Sequence, residues 1–508
     1  MMDFDLLKGE EKTFTENGAL GFVTTKNKLL NLSFQVPDMR RRVCNEADDD
    51  ARGMWKIYFK DAFNEDSENT LRFLLYLRDI RGGLGERSVF RNVVADMAED
   101  NLELAEAIIR HGNIPEFGRW DDLIDIAFRS KALKPIVASM ISSQLADDAI
   151  HMAAEKPVSL LAKWLPSEGT SSKKTRNRCR ELVKLLGLTL PDYRKKVSAL
   201  RKYINIVERQ MSANQWSDIA YESVPSKANL IYKEAFMRHD EERRKEFIEK
   251  LSKGETKINA KTLAPYEILH DYRKLMDLDD VLEELWKGLP TPEKQKNILV
   301  VRDGSGSMTW CQFLQSSVTP LDIGDSIALY MAQYNTGCYK DKFITFSNKP
   351  QIVDLTGTTS LRRKIDVLRC YNDCSNTDLE KVFQLVLDTV VENKVPQDDI
   401  PDILVISDME FDESHTRCGN SKALMRIIRD QWNEKGYKLP KLIFWNVASR
   451  TGAIPITTND NGVILVSGFT TAIANMVMSN ELDPLKALLK VLQVPRYDCV
   501  KDILSAID

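Results

Sequence analysis

The stretch Asn297 to Met308, N-I-L-V-V-R-D-G-S-G-S-M, constrains the fold of this chain more than any other. Four consecutive aliphatics, Ile298 to Val301, predict a short strand buried on both faces, the pattern of a parallel sheet covered by helices. The strand is expected to stop at Asp303, because Gly304-Ser305-Gly306-Ser307 is a small-residue segment suited to a tight turn. Such a loop aims one carboxylate and two hydroxyls at a common point. Oxygen donors of this kind suit a hard cation, Mg²⁺ or Mn²⁺. An ordinary Gly/Ser turn carries the same letters, so the reading rests on further oxygen ligands downstream.

From Asn297 onward strands and helices alternate, which predicts a doubly wound α/β domain over 297–508. Strands are read at Phe343–Phe346, Ile403–Ile406, Leu442–Val447 and Val463–Ser467. Helices are expected near 322–335, 360–370, 378–393, 420–433, 470–479 and 483–493. In such sheets ligands gather at the carboxyl ends of the strands near the topological switch point. Asp408 follows Ile403–Ile406 and therefore belongs at a strand end. Thr377, in Ser375-Asn376-Thr377-Asp378, precedes the amphipathic run of Leu379, Val382, Phe383, Val386 and Leu387. Thr358-Thr359, also ahead of a helix, is a rival for the threonine.

Asp303, Ser305, Ser307, Thr377 and Asp408 together match the metal-ion-dependent adhesion site, and 297–508 resembles a von Willebrand factor A domain. Two departures stand out. Ser407-Asp408-Met409 replaces the usual Thr-Asp-Gly, and Arg302 interrupts an otherwise apolar strand end. The resemblance implies that Ser305, Ser307 and Thr377 coordinate the cation directly while Asp303 and Asp408 anchor waters. It also implies an open coordination position for a carboxylate from a protein partner.

At 508 residues, two or three domains are expected. A net charge of -4 leaves any basic surface local. No apolar run reaches membrane-span length. The start, M-M-D-F-D-L-L-K-G-E-E-K, lacks a signal-peptide layout. Eight scattered cysteines, without a His or Cys pair to complete a zinc site, read as reduced thiols of a cytoplasmic protein.

Residues 1–40 read as an extended lead-in, with Leu29–Phe34 a strand or a short docking segment. Over 41–290 the pattern is helical. Trp55, Tyr58, Phe59 and Phe63 recur at helical spacing, as do Leu71, Leu74, Leu75 and Ile80. Breaks fall at Arg81–Gly85, Gly112–Pro115, Pro166–Gly169 and Pro225-Ser226. Amphipathic helices joined by short turns predict a HEAT-like α-solenoid or, alternatively, an irregular helical domain. The module boundary is placed at Leu289-Pro290-Thr291-Pro292.

Leu77–Arg87 (L-R-D-I-R-G-G-L-G-E-R), Ile114–Leu123 (I-P-E-F-G-R-W-D-D-L), Lys163–Ser167 and Val224–Ala228 resemble the TROVE module. The match spans roughly 15–290, and the order, helical module then A domain, is that of Ro-type ribonucleoproteins. The local motifs are closer to that family's uncharacterised bacterial, viral, fungal and plant relatives. The resemblance implies a ring of helical repeats closed by the A domain, with RNA on the ring's basic surface. From the residues themselves, Lys156–Lys202 holds thirteen Lys/Arg against three acids, the best candidate for phosphate contact. Lys173, Lys174, Arg176, Arg178, Arg180, Lys195, Lys196, Arg201 and Lys202 are the RNA-binding candidates, with Trp164, Tyr193 and Tyr203 as possible stacking faces.

Three functions therefore compete. The first is an RNA-binding helical module joined to a metal-gated, protein-binding A domain. The second is a protein scaffold that uses the metal site without RNA. The third is a metal-dependent hydrolase, with Glu410, Asp412 or His415 near the motif but no evident nucleophile–base pair. A binding protein, not an enzyme, is the leading expectation.

Overall fold

A computed structural model describes residues 12–14, 20–22, 27–37, 49–274, 280–292, 296–310, 317–347, 349–371, 379–409, 421–449, 463–469, 472–477, 481 and 483–507. It is a helical protein with one mixed six-stranded sheet towards the carboxyl end of the chain. The chain forms two compact units that do not follow it in order. One unit is Met1–Thr70 with Leu263–Leu492, the other Leu71–Thr262 with Gln493–Asp508.

In the first unit, β1 (Lys12–Phe14) and β2 (Leu20–Phe22) form an antiparallel pair. The main sheet contains β3 (Ile298–Asp303), β4 (Lys342–Phe346), β5 (Ile352–Asp354), β6 (Asp402–Ser407), β7 (Leu442–Asn446) and β8 (Val463–Ser467). Their order is β5-β4-β3-β6-β7-β8. All neighbours are parallel except β5, which runs antiparallel on β4. Every residue of β3, β6, β7 and β8 is buried, as expected for strands covered on both faces. From β3 the next strand lies on one side and β6 on the other, so the switch point falls between β3 and β6.

Residues 28–34 are not extended. Asn27 accepts a hydrogen bond from Leu30 N at 2.7 Å, capping a helix, Lys28–Phe34, whose residues from Leu29 on are buried. A side-chain oxygen at this position satisfies an otherwise orphaned amide. Phe34 enters the sheet's core beside Phe444 and Leu465. Asn446 Nδ2 donates to the Phe34 carbonyl at 3.1 Å, and Ser467 Oγ donates to that of Ser33.

The expected division into 41–290 and 297–508 also differs from this grouping. The helix Pro265–Lys274 packs on Pro320–Ala332 beneath the sheet. Arg273 joins the two helices by pairing with both Asp322 and Asp325. The Pro-rich segment at 290–292 marks a change of secondary structure, not of packing partner.

The second unit contains no strand among its described residues. Leu77–Arg87 and Ile114–Leu123 contribute Arg78, Asp79 and Asp122 to its buried ion pairs. Arg78 reaches Asp122 at 2.7 Å with both side chains buried, and Arg91 Nε reaches the other Asp122 oxygen at 2.7 Å. Gly118 is required here, since a Cβ would lie 2.2 Å from Asp122 Oδ2 and 2.7 Å from the Arg78 guanidinium. Asp79, fully buried, accepts from Arg496 Nε at 2.5 Å, from a second Arg496 nitrogen at 2.9 Å and from Tyr497 Oη at 3.0 Å. Tyr497 stacks on Phe117 with centroids 5.5 Å apart, and the helix Val500–Ser505 packs on Leu102–His111. Residues 493–507 thus belong to the helical core.

Candidate functional site

β3 delivers Asp303 to the carboxyl edge of the sheet, and the chain turns through Gly304 and Ser305 into a short helix, Gly306–Trp310. Asp303 is fully buried. One of its oxygens accepts from Ser305 N at 2.8 Å, the other from Ser407 Oγ at 2.6 Å. The Ser305 and Ser307 hydroxyls lie 2.9 Å apart. Because Arg302 is in register with Ile406 on β6, Asp408 follows at the same edge and is buried. Asp303, Ser305, Ser307 and Asp408 therefore gather at the switch point.

Thr377 lies outside the described residues, as do Glu410, Asp412 and His415. The chain nevertheless approaches the loop just before Thr377. The carbonyl oxygen of Tyr371 would lie 3.5 Å from a Cβ on Gly304. The rival threonines are placed differently. Asp354, at the end of antiparallel β5, pairs with Lys342 at the start of β4. Thr358 and Thr359 thus follow a strand that ends at the opposite edge of the sheet.

Burial pushes the Asp303 carboxyl above its ordinary range, although hydrogen bonds from Ser407 and Ser305 and the charge of Arg302 pull the other way. A buried carboxylate flanked by neutral hydroxyls is an environment that a divalent cation compensates. The donor set, two carboxylates and two hydroxyls, fits Mg²⁺ or Mn²⁺ rather than a thiophilic metal.

The two departures from the A-domain pattern have structural counterparts. Met409 takes φ +63°, a left-handed conformation that glycine adopts without strain. Its side chain is buried in the sheet's core, and its amide donates to Ser407 Oγ at 3.1 Å. Arg302 is fully buried and pairs with Asp325 at 2.9 Å. Its guanidinium lies against the loop that follows β3, where a Cβ on Gly304 would come within 2.6 Å of it. Arg302 is thus an anchor between the strand end and the Pro320–Ala332 helix. No periodicity argument finds it, because its partner is on another element.

The nine cations proposed for RNA divide into two groups. Arg178 pairs with Asp125 at 2.9 Å, and Arg180 with Glu168 at 3.3 Å. Arg176 donates to the carbonyls of Thr170 and Ser171. Arg201 donates to the carbonyls of Ala162 and Leu165 and to Ser167 Oγ. These four arginines bind their own fold. Lys173, Lys174, Lys195, Lys196 and Lys202 are exposed on the helices Lys173–Leu185 and Leu190–Ile204. The aromatic candidates also separate. Tyr193 is buried and donates to the Pro166 carbonyl, and Trp164 lies under Arg119 at 4.3 Å. Only Tyr203, 38% exposed, keeps an open face, with its hydroxyl on the Lys156 carbonyl.

Two family models match parts of the chain. Residues 297–490, the start of β3 to the helix Pro484–Leu492, match a domain of unknown function (DUF7788). Residues 188–302 match a second domain of unknown function (DUF2828). The chain is also similar to "Uncharacterized protein L728" of Acanthamoeba polyphaga mimivirus. Identity is 28% over 474 residues, covering 86% of this chain and 81% of the relative.

Proposed function

We propose that this is a two-part binding protein whose sheet unit, a von Willebrand factor A-like domain, presents a divalent cation to a carboxylate of a protein partner. The observation that carries the reading is the meeting of Asp303, Ser305, Ser307 and Asp408 at the switch point between β3 and β6. Thr377 would complete the set. Mg²⁺ prefers six oxygens in near-octahedral array and keeps several waters, so few protein oxygens and one exchangeable position suffice. The described thiols Cys179, Cys338, Cys370 and Cys499 are all free, which suits a reducing cytoplasm. Among the described residues no helix is long and apolar enough to cross a membrane.

Calorimetric titration with Mg²⁺ and Mn²⁺ tests this directly. The parent chain should bind one ion, and Asp303→Ala combined with Ser305→Ala should bind none while keeping its circular dichroism spectrum. Equal affinity in parent and variant would remove the assignment.

A second part of the proposal concerns the helical unit, a TROVE-like, HEAT-like array that we assign to RNA through the five free-standing lysines. Each phosphate contact contributes about 0.7–0.9 to the log–log salt slope. Replacing Lys173, Lys174, Lys195, Lys196 and Lys202 by Ala should weaken RNA binding and flatten that slope by at most about 3.5–4.5 units. These lysines are exposed, so the fold should survive. The arginines are unsuitable for this test, because removing them perturbs structure. Unchanged affinity and slope would favour a protein scaffold that uses the metal site alone.

A further inference from the structure

Away from the cation loop, three side chains of the sheet unit form a hydrogen-bonded series running from the interior to the surface. Asp322, buried near the start of the Pro320–Ala332 helix, accepts from His270 Nδ1 at 2.9 Å. His270 Nε2 lies 2.8 Å from Ser317 Oγ, and Ser317 is exposed. The carboxylate is fixed independently of the histidine, by Thr319 N at 2.9 Å and by Arg273. An ionised carboxylate only accepts hydrogen bonds, so Nδ1 carries a proton, and in the neutral imidazole Nε2 is the nitrogen left to accept from the serine hydroxyl. A nucleophile within reach of a base, itself oriented by a third group, is the pattern of an activated serine.

We propose that Ser317 is a nucleophile towards acyl esters, with His270 as its general base and Asp322 as the positioning carboxylate. Ser317 Oγ bonds to the acyl carbon as its proton passes to His270 Nε2. The ester C–O bond then breaks, and the alkoxide takes that proton and leaves as the alcohol. Water, deprotonated by the same nitrogen, attacks the acyl carbon and releases the acid, and Ser317 recovers its proton. The balance is ester plus water to acid plus alcohol, with no redox partner. Because Asp322 is shared with Arg273, it stabilises the imidazolium less than an unshared carboxylate would. Turnover is therefore slow, and covalent capture is the sensitive readout.

The test treats the full chain with an alkyl fluorophosphonate and maps the adduct by mass spectrometry. Attack by Ser317 Oγ on phosphorus expels fluoride, and the serine proton leaves through His270. The expected result is a single adduct on Ser317, absent in Ser317→Ala and formed roughly 100-fold or more slowly in His270→Gln. Urea-denatured protein should not react. Ser317 is exposed, so its alanine variant stays folded and separates reactivity from stability. No adduct on the folded parent, an adduct elsewhere, or an unchanged rate in a folded His270→Gln overturns the proposal. In that event the three side chains only clamp one helix to another.

Discussion

Asp122→Asn is expected to destabilise the helical unit by about 3–5 kcal/mol, the range for breaking a buried ion pair. Asp122 is fully buried between Arg78 and Arg91, and its Oδ2 also accepts from Arg119 N at 2.8 Å. Burial alone would raise its carboxyl, but the two guanidinium groups outweigh burial and hold it below the usual range. Asparagine keeps the shape and removes the charge, leaving Arg78, itself buried, without its counter-ion. Loss of this size should lower the melting temperature of a unit of this length by roughly 6–20 °C. Calorimetry on parent and variant decides the matter. A change within about 1 kcal/mol would mean that solvent reaches the pair and that the surrounding motif serves some other purpose.

Removing residues 493–508 should loosen the helical unit while sparing the sheet. The cut takes away Arg496 and Tyr497, the side-chain partners of Asp79, and the ring stacked on Phe117. A fully buried carboxylate without a cation is expected to cost several kcal/mol. Hydrogen exchange read by mass spectrometry should show amides within 71–262 losing protection while β3, β4, β6, β7 and β8 keep theirs. Uniform protection in the shortened chain would contradict this. A gentler form of the experiment uses pH. Burial raises the Asp79 carboxyl, but hydrogen bonds from Arg496, Arg81 N and Tyr497 outweigh it and hold the group below its ordinary value. A depressed carboxylate stabilises the fold above its unfolded pKa, about 3.9, and loses that contribution as pH falls through its folded value. Arg496→Gln should therefore shift acid unfolding upward, towards pH 4.

The sheet was legible because its strands are short aliphatic runs bounded by polar turns, a signal that needs no long-range information. Four of the five residues proposed for the cation could be located for the same reason, since Asp303, Ser305, Ser307 and Asp408 sit where strands stop. Charge partnerships were not. Arg178 and Arg201 look like members of a basic patch when cations are counted, yet the acid that holds Arg178 lies 53 residues away. Arg302 reads as an interruption until Asp325 is seen beside it. His270 and Ser317, 47 residues apart, share no pattern that a linear reading detects. Leu29–Phe34 looked extended because its capping residue, Asn27, precedes only two turns of helix, too few for periodicity to register. The boundary at 290 followed composition, whereas packing follows Arg273 and its two aspartates.

The interleaving of the two units bears on how the chain is made. A ribosome delivers residues in sequence, and domains generally fold as units as they emerge. Here the helices from Leu71 emerge early, but Asp79 must wait for Arg496, 417 residues later, before its charge is neutralised. The helix Lys28–Phe34 likewise waits for β7 and β8 before Phe34 has a core to enter. During that interval the helical unit carries an unpaired interior carboxylate and an open face around Phe117. Translation of the segment from Gln493 onward then acts as the step that locks the helices, so pausing or truncation late in synthesis would expose the part of the protein that was made first.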